Sequence, residues 1–386
     1  MLKTTEYEVV VIGGGIQGAA VALVAKKAGY SVLLVEKNTW ASATSSKSSK
    51  LIHGGLRYLQ TAQFTLVAEC LAEREWMLAH LPNLVSANWF YLPIYTNSHY
   101  STWKIHCGLF LYRLLSKNNT HSSYKKIPMN KWHLLSGLQQ KGLKAVFAYQ
   151  DAQTDDAVLT QAIVDRAQAL GVDCHEYTEC ISTQIQENKT YRLQLQHAAI
   201  EMPITVNAHT IINATGPWVN RVLQRLDPSV DIFPIDLVQG THLVVSPALS
   251  DTCFYLPSIE DNRAVFCLPW KGKTLVGTTE VIHQGEPEDT RVKQQEIDYL
   301  SAVVNHYFPD YEFSIEATFC GLRVLPNSDK KFLSRPRDTF ISADKNIISL
   351  YGGKLTAWRV TAKRVLYLID EGFENKSTID WDNLME

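Results

Sequence analysis

Apolar residues fall into distinct kinds of stretch along this chain. Residues 6–12, Glu-Tyr-Glu-Val-Val-Val-Ile, run without alternation, which predicts a strand buried on both faces. An alanine-rich stretch to about residue 28 predicts a helix that Gly29-Tyr30 ends, and residues 31–35 predict the next strand. A longer helix is predicted over about 62–81, with Phe64, Val67, Leu71, Trp76 and Leu78 as its inward stripe. Asp155-Asp156 opens another through Ala169, since acids suit a first turn. Apolar runs from 210 and from 346 predict two further strands, the second leading to a helix over about 357–370. From 221 to 325 the pattern is mainly of strands, at 241–245, 264–268 and 274–277, with turns at Asp261-Asn262 and Lys271-Gly272. Residues 91–145 are aromatic, basic and irregular. The expected class is α/β: a Rossmann-like, doubly wound domain made of 1–90, 146–220 and 326–386. An α+β antiparallel-sheet domain for substrate is inserted as 91–145 and 221–325.

Between the first strand and helix lies Gly13-Gly-Gly15-Ile-Gln-Gly18, and Glu36 stands at the end of the second strand. This is G-x-G-x-x-G in a strand–turn–helix–strand setting. Its glycines allow a tight turn and close approach of a pyrophosphate, which the helix N-terminus favours. Glu36 is placed to accept from ribose hydroxyls, and an acid there disfavours a 2′-phosphate and so NADP. Two later markers bear on the choice of dinucleotide. Asn213-Ala214-Thr215-Gly216 follows an apolar strand, and Gly352-Gly353-Lys354-Leu355-Thr356 follows another and opens a helix. In this order the three markers look like an FAD oxidoreductase, with the last helix start suited to negative charge on a reduced flavin.

The densest chemistry is in residues 44–60, Thr-Ser-Ser-Lys-Ser-Ser-Lys-Leu-Ile-His-Gly-Gly-Leu-Arg-Tyr-Leu-Gln. Hydroxyls, Lys47, Lys50, Arg57 and His53 suit an anionic ligand. Gly54-Gly55 admits a flat or phosphorylated one at close range. This segment resembles the flavin-contacting segment of FAD-dependent glycerol-3-phosphate dehydrogenases, in the D-amino-acid-oxidase-like superfamily. Leu71-Ala-Glu-Arg-Glu75, Asn213-Ala-Thr-Gly-Pro-Trp-Val219, Gly240-Thr-His242, Gly277-Thr-Thr-Glu280, Gly321-Leu-Arg323 and Tyr351-Gly-Gly-Lys-Leu-Thr356 extend the resemblance over about 6–370. It implies noncovalent FAD touched by Gly13, Gly15, Gly18, Glu36, Lys37, Thr44, Ser45, Ser46, His53, Gly54, Gly55, Ala214, Thr215, Gly216, Gly352, Gly353, Leu355 and Thr356. It also implies a further C-terminal helical domain, which this sequence is expected to lack, ending as it does at Glu386.

A formal net charge of −2 gives no whole-molecule attraction to nucleic acid or anionic lipid, so anion affinity must be local. The seven cysteines are scattered, without C-x-x-C, and read as reduced core residues rather than disulfides, zinc or iron–sulfur ligands. No apolar stretch approaches the ~18–20 residues a membrane span needs, and the chain opens directly into its first strand, so the expected compartment is cytoplasmic. Residues 102–117, apolar and aromatic with cations at intervals, read either as a packed domain helix or as a peripheral contact with the inner face of the cytoplasmic membrane. A homodimer stays open.

Oxidising a secondary alcohol with flavin needs the C–H over flavin N5, a proton acceptor and a fixed substrate. A phosphate handle fixes it well, and arginine matches phosphate oxygens bidentately. The expected substrate residues are Arg57, Tyr58, Arg323 and Lys354, with Arg263 weaker, and Arg323 and Lys354 also count as catalytic. His242 is the expected base, since an imidazole's unperturbed pKa of ~6.5 suits proton uptake; His53 competes. The activity these residues and the resemblance imply is oxidation of sn-glycerol 3-phosphate to dihydroxyacetone phosphate, with electrons passed to quinone or another acceptor. Alternatives are a glycerophosphate oxidase using oxygen, a 2-hydroxy-acid or amine oxidoreductase, and a non-catalytic flavin-binding module.

Overall fold

The computed structural model describes residues 2–117, 119–227, 229–327, 338–371 and 378–386. Along it run helices α1 (Ile16–Lys27), α2 (Phe64–His80), α3 (Thr102–Leu115), α4 (Asp156–Ala169), α5 (Val219–Leu223), α6 (Gln294–Tyr307) and α7 (Trp358–Asp370). The chain forms two compact units: 1–48, 155–237 and 322–386 make the first, and 49–154 and 238–321 the second.

The first unit is built on a sheet in the order Phe340–Asp344, Ile347–Tyr351, Ile204–Asn213, Glu6–Ile12, Val32–Val35, Asp173–His175. All neighbours after the first pair are parallel. The unalternating apolar runs follow from this, because a central parallel strand is covered on both faces. Val10, Ile12, Leu33, Val35 and Ile211 share a core with Tyr191, Leu193, Leu195 and the α5 residues Val219 and Leu223. Side chains one residue along point to the opposite face, and α1, which packs on α4 and α7, lies against the first two strands. Asp155 caps α4 by accepting from the Val158 N–H.

The second unit holds a ten-stranded sheet, in the order Val281–Ile282, Ile235–Ser246, Lys273–Gly277, Ala264–Trp270, Cys253–Pro257, Val85–Tyr95, Leu143–Thr154, Leu51–Ile52, with two more strands on its flanks. Along that order the pairings are antiparallel apart from Cys253–Pro257 against Val85–Tyr95, and Tyr124–Ile127 flanks Leu143–Thr154 antiparallel. One core joins Leu243, Val245, Phe254 and Val265 to Leu300, Val303 and Val304 of α6. Another joins Phe90, Phe147 and Tyr149 to Val67 and Leu71 of α2 and Leu109 and Tyr112 of α3.

The expected boundaries near 90, 146, 220 and 326 are displaced in the structure to 48/49, 154/155, 237/238 and 321/322. Residues 49–90 join the second unit because Leu51–Ile52 pairs with Leu143–Thr154, which in turn pairs along Val85–Tyr95. Residues 91–145 are not irregular: they hold the end of Val85–Tyr95, helix α3 and the strand Tyr124–Ile127. The inward stripe of α2 also differs. Val67, Leu71 and Trp76 are buried as expected, but Phe64 is exposed and Leu78 only half-buried; Leu66, Cys70, Glu73, Arg74 and Met77 complete the buried face.

Candidate functional site

In the first unit the three glycine markers meet at the N-terminus of α1. A Cβ on Gly18 would lie 1.9 Å from the Gly13 carbonyl oxygen and 3.3 Å from the Ala214 Cβ. A Cβ on Gly13, whose φ is +110°, would lie 2.6 Å from the Ala214 carbonyl oxygen and 3.1 Å from the Thr215 Cα. A Cβ on Gly353 would meet the Gln17 side chain at 2.7 Å. Sequence positions more than three hundred residues apart thus crowd one helix end, and no side chain fits between them. Asn213 holds the second marker in place: its Oδ1 accepts from the Thr215 hydroxyl at 2.7 Å and its Nδ2 donates to the Val219 carbonyl at 2.9 Å.

Thr44, Ser45 and Ser46 form a short 3-10 turn beside this helix end. The Ser45 Oγ accepts from the Ile16 N–H at 2.9 Å, so a lone pair faces the Gly15–Ile16 turn and its own hydroxyl proton points away from it. The Thr44 hydroxyl donates to the Leu322 carbonyl at 2.7 Å, and a Cβ on Gly352 would lie 2.8 Å from the Val324 carbonyl oxygen. Arg323 therefore sits between two residues whose backbones touch the Thr44 turn and the Gly352-Gly353 loop. Buried Asp156 accepts from the Ser48 N–H at 2.9 Å and pins the end of this run. Gln17 donates to the Lys354 carbonyl at 3.4 Å, and its buried Oε1 has no hydrogen-bond partner among the described residues.

In the second unit, His242 is 1% exposed. Its Nε2 lies 2.9 Å from the Ser49 Oγ, and its ring stacks on Phe319 at 4.9 Å. His242 faces Gly277 across the ladder, where a Cβ would strike the imidazole at 2.1 Å. Three residues beyond Gly277, the Glu280 carboxylate is buried between two guanidinium groups. Arg263 Nη1 is 2.9 Å from its Oε2, and Arg57 Nη2 is 3.7 Å from its Oε1. The 3.7 Å approach is too long for a hydrogen bond. The Arg57 Nη2, itself buried, has no hydrogen-bond partner among the described residues. Arg57 and Tyr58 lie on a 3-10 turn, Leu56–Thr61, with the guanidinium 5.6 Å from the Tyr58 ring centre. Gly55 starts this turn at φ +74°, where a Cβ would meet the Tyr58 ring at 2.2 Å. Next to Ser49, buried Lys50 sets its ammonium 5.3 Å from Phe319 and 5.4 Å from Trp270.

The family model of the FAD dependent oxidoreductases (DAO) matches residues 8–365. The chain belongs to that family. It is 34% identical over 380 residues to a glycerol-3-phosphate dehydrogenase of Pseudomonas aeruginosa, spanning 96% of this chain and 72% of that one. It is 36% identical over 370 residues to a glycerol-3-phosphate dehydrogenase of Pseudomonas tolaasii, spanning 93% and 71%. Among solved structures, the glycerol-3-phosphate dehydrogenase of Bacillus halodurans complexed with FAD is similar with a TM-score of 0.77 at 26% identity, over 100% of this chain and 68% of that one. The L-alpha-glycerophosphate oxidase of Mycoplasma pneumoniae shares the fold, with a TM-score of 0.77 at 17% identity over 98% of each chain.

FAD is the cofactor of this family, and the first unit fits it. The crowding at Gly13 and Gly18 brings backbone close to the start of α1, whose N-terminus offers positive dipole to phosphates. Glu36 accepts from the Gly14 N–H at 2.7 Å through Oε2 and from the Asn38 N–H at 2.9 Å through Oε1. Gln17 Oε1 offers a buried acceptor for a ligand N–H or O–H.

Within this oxidoreductase the expected site residues divide between the units. Gly13, Gly15, Gly18, Glu36, Lys37, Thr44, Ser45, Ser46, Ala214, Thr215, Gly216, Arg323, Gly352, Gly353, Lys354, Leu355 and Thr356 belong to the first, and His53, Gly54, Gly55, Arg57, Tyr58, His242 and Arg263 to the second. Lys37 points to a surface ion pair with Glu179 at 3.3 Å. Gly216 opens the 3-10 turn Gly216–Trp218 with open space where its Cβ would be. Helix α7 begins only at Trp358, so Lys354, Leu355 and Thr356 lie in the turn before it. Gln17, Ser49, Asp156 and Glu280 join the expected residues. Gln17 was legible as a polar residue inside the fingerprint and Glu280 as the only acid in its motif; Ser49 stood only as one hydroxyl of the 44–60 stretch and Asp156 only as a first-turn acid, with no local sign of their partners.

Proposed function

We propose that the chain oxidises sn-glycerol 3-phosphate to dihydroxyacetone phosphate, passing the electrons on to quinone or another acceptor. The observation that carries this reading is the buried Arg57 Nη2, without a hydrogen-bond partner among the described residues and held 3.7 Å from Glu280. A buried guanidinium N–H seeks an acceptor, and a phosphate oxygen supplies one on a substrate. The names of the two Pseudomonas relatives point to the same phosphorylated alcohol.

Bound FAD supplies the acceptor for the hydride that leaves the secondary carbon. The protein's own part is proton transfer and orientation. His242 takes the hydroxyl proton on its imidazole, and the Ser49 contact at Nε2, the Phe319 stack and the bare Gly277 fix the plane of the ring. Arg57 holds the phosphate, with Arg263 anchoring the shared Glu280. Arg323 and Lys354 carry the same proposal from their sequence setting. Anaerobic bleaching of the bound flavin by a panel of alcohols, hydroxy acids and amines tests the reading. Glycerol 3-phosphate is expected to bleach it fastest, and bleaching by an amino acid alone would overturn it. Turnover with a quinone analogue against peroxide formation separates a dehydrogenase from an oxidase.

Arg57→Lys keeps the charge but loses the forked geometry. A charge-assisted contact is worth about 1.5–3 kcal/mol, so kcat/KM for glycerol 3-phosphate is expected to fall about tenfold to a hundredfold, mostly through KM. Unphosphorylated glycerol should respond far less. Equal losses on both substrates would remove Arg57 from the phosphate grip.

Helix α3 supports a peripheral membrane contact. Trp103, Phe110 and Leu114 are 71%, 58% and 54% exposed, while Leu109 and Tyr112 face the interior. No described helix is long and apolar enough to cross a membrane. A Trp103→Ser, Phe110→Ser double variant should lose most binding to phospholipid vesicles at unchanged flavin content. Undiminished vesicle binding would place the contact elsewhere.

A further inference from the structure

Helix α2 buries a charged residue that this chemistry leaves unused. Arg74 is fully buried, in the Leu71–Glu75 motif. Its guanidinium donates to Asp151 Oδ1 at 2.6 Å, to Glu75 Oε1 at 2.6 and 3.1 Å, and to the carbonyls of His121 and Gln150 at 2.8 and 3.1 Å. Burial works against its charge, but Asp151 beside it, with Tyr112 and Glu75, outweighs that and holds the guanidinium protonated. The buried Asp151 carboxylate also accepts from the Tyr112 hydroxyl, 2.9 Å from each oxygen. Burial and Asp151 push Tyr112 up, so it stays a phenol and a donor. The same Tyr112 oxygen accepts from the Gly54 N–H at 2.8 Å. There is no slack at that point: a Cβ on Gly54 would lie 2.6 Å from Leu71 and 2.7 Å from the Tyr112 oxygen.

We infer that Arg74, Asp151 and Tyr112 form a positioning relay that sets the Gly54-Gly55 turn and, through it, the Arg57 guanidinium. The argument is one of rigidity. A loop amide held by a lone phenol would follow that side chain's rotamers. This phenol is itself held by a carboxylate that a fivefold-bonded guanidinium fixes to the sheet. The chain of fixed groups ends three residues before Arg57. A phosphate grip acts on substrate and transition state alike, so losing its alignment raises KM and leaves kcat. General destabilisation would instead lower the active fraction at constant KM. The inference rests on the proposed phosphate role of Arg57.

Tyr112→Phe removes the hydroxyl and keeps the ring. KM for glycerol 3-phosphate is expected to rise about tenfold, the scale of one hydrogen-bonded contact, with kcat within about twofold and full flavin content. Hydrogen exchange at the Gly54 amide should quicken by about tenfold or more, while α2 and α3 keep their protection. Wild-type KM together with wild-type exchange at Gly54 would overturn the relay. If the wild-type flavin is not reduced by glycerol 3-phosphate, the functional reading fails, and the exchange measurement still decides the relay. Should the variant not fold, the wild-type protein answers alone: a Gly54 amide exchanging as fast as an open loop contradicts the relay, and a slow one supports it.

Discussion

Gly18→Ala should purify colourless. The added Cβ would lie 1.9 Å from the Gly13 carbonyl oxygen, a backbone atom at the end of the first strand. Neither partner swings aside as a flexible side chain would. The start of α1 must move off the strand, and the phosphate-facing N–H groups move with it. Overpacking of this kind costs about 1–3 kcal/mol or more, all of it at the binding surface. Flavin affinity is therefore expected to fall about a hundredfold, read by visible absorbance after reconstitution and by titration calorimetry. Gly108→Ala is the control, since a Cβ there meets nothing within 4 Å among the described residues. It should keep its flavin and gain slight stability from better helix propensity. A yellow Gly18→Ala protein with wild-type affinity would mean that the cofactor lies elsewhere.

The second large effect is at the proton. His242→Ala is expected to slow anaerobic flavin reduction by about 10²–10⁴, the usual span for a general base. Flavin content and substrate affinity should change little, because the ring is packed by Phe319 and Gly277 rather than exposed to a ligand phosphate. Ser49→Ala should give a smaller loss of the same kind, as it removes only the group that orients Nε2. His53→Ala should instead disturb the flavin spectrum. Stopped-flow reduction of the variants decides. Fast reduction in His242→Ala with slow reduction in His53→Ala would exchange the two roles, and fast reduction in both would send the proton directly to solvent or through Lys354.

The parts of the fold written in local pattern were legible. The first strand matches Glu6–Ile12, and helices appear at Ile16–Lys27, Asp156–Ala169 and Trp358–Asp370, where an unalternating run, acids in a first turn or a glycine stop marks them. What failed was pairing. Whether residues 49–90 belong with the fingerprint depends on Leu51–Ile52 finding Leu143–Thr154, a long-range choice that no local signal carries. The inward face of α2 failed for a related reason. A stripe drawn from apolar residues alone cannot include Arg74, which is inside only because Asp151 awaits it on a distant strand. The candidate site divides in the same way. Glycines announce themselves by spacing, whereas Ser49 and Asp156 matter through partners more than a hundred residues away.

The meeting of Gly18, Ala214 and Gly353 at one helix end also fixes when the protein becomes able to take up its cofactor. During synthesis the fingerprint leaves the ribosome first, yet its binding surface is incomplete until the strand Ile347–Tyr351 has joined Ile204–Asn213 and brought the last loop alongside. Parallel pairings of such sequence separation form slowly and leave apolar edges open meanwhile. A ligand that binds only the finished arrangement pulls that late equilibrium forward in proportion to its free concentration. The yield of folded enzyme in a cell should therefore track flavin supply, with riboflavin starvation depleting the polypeptide itself and not merely its colour.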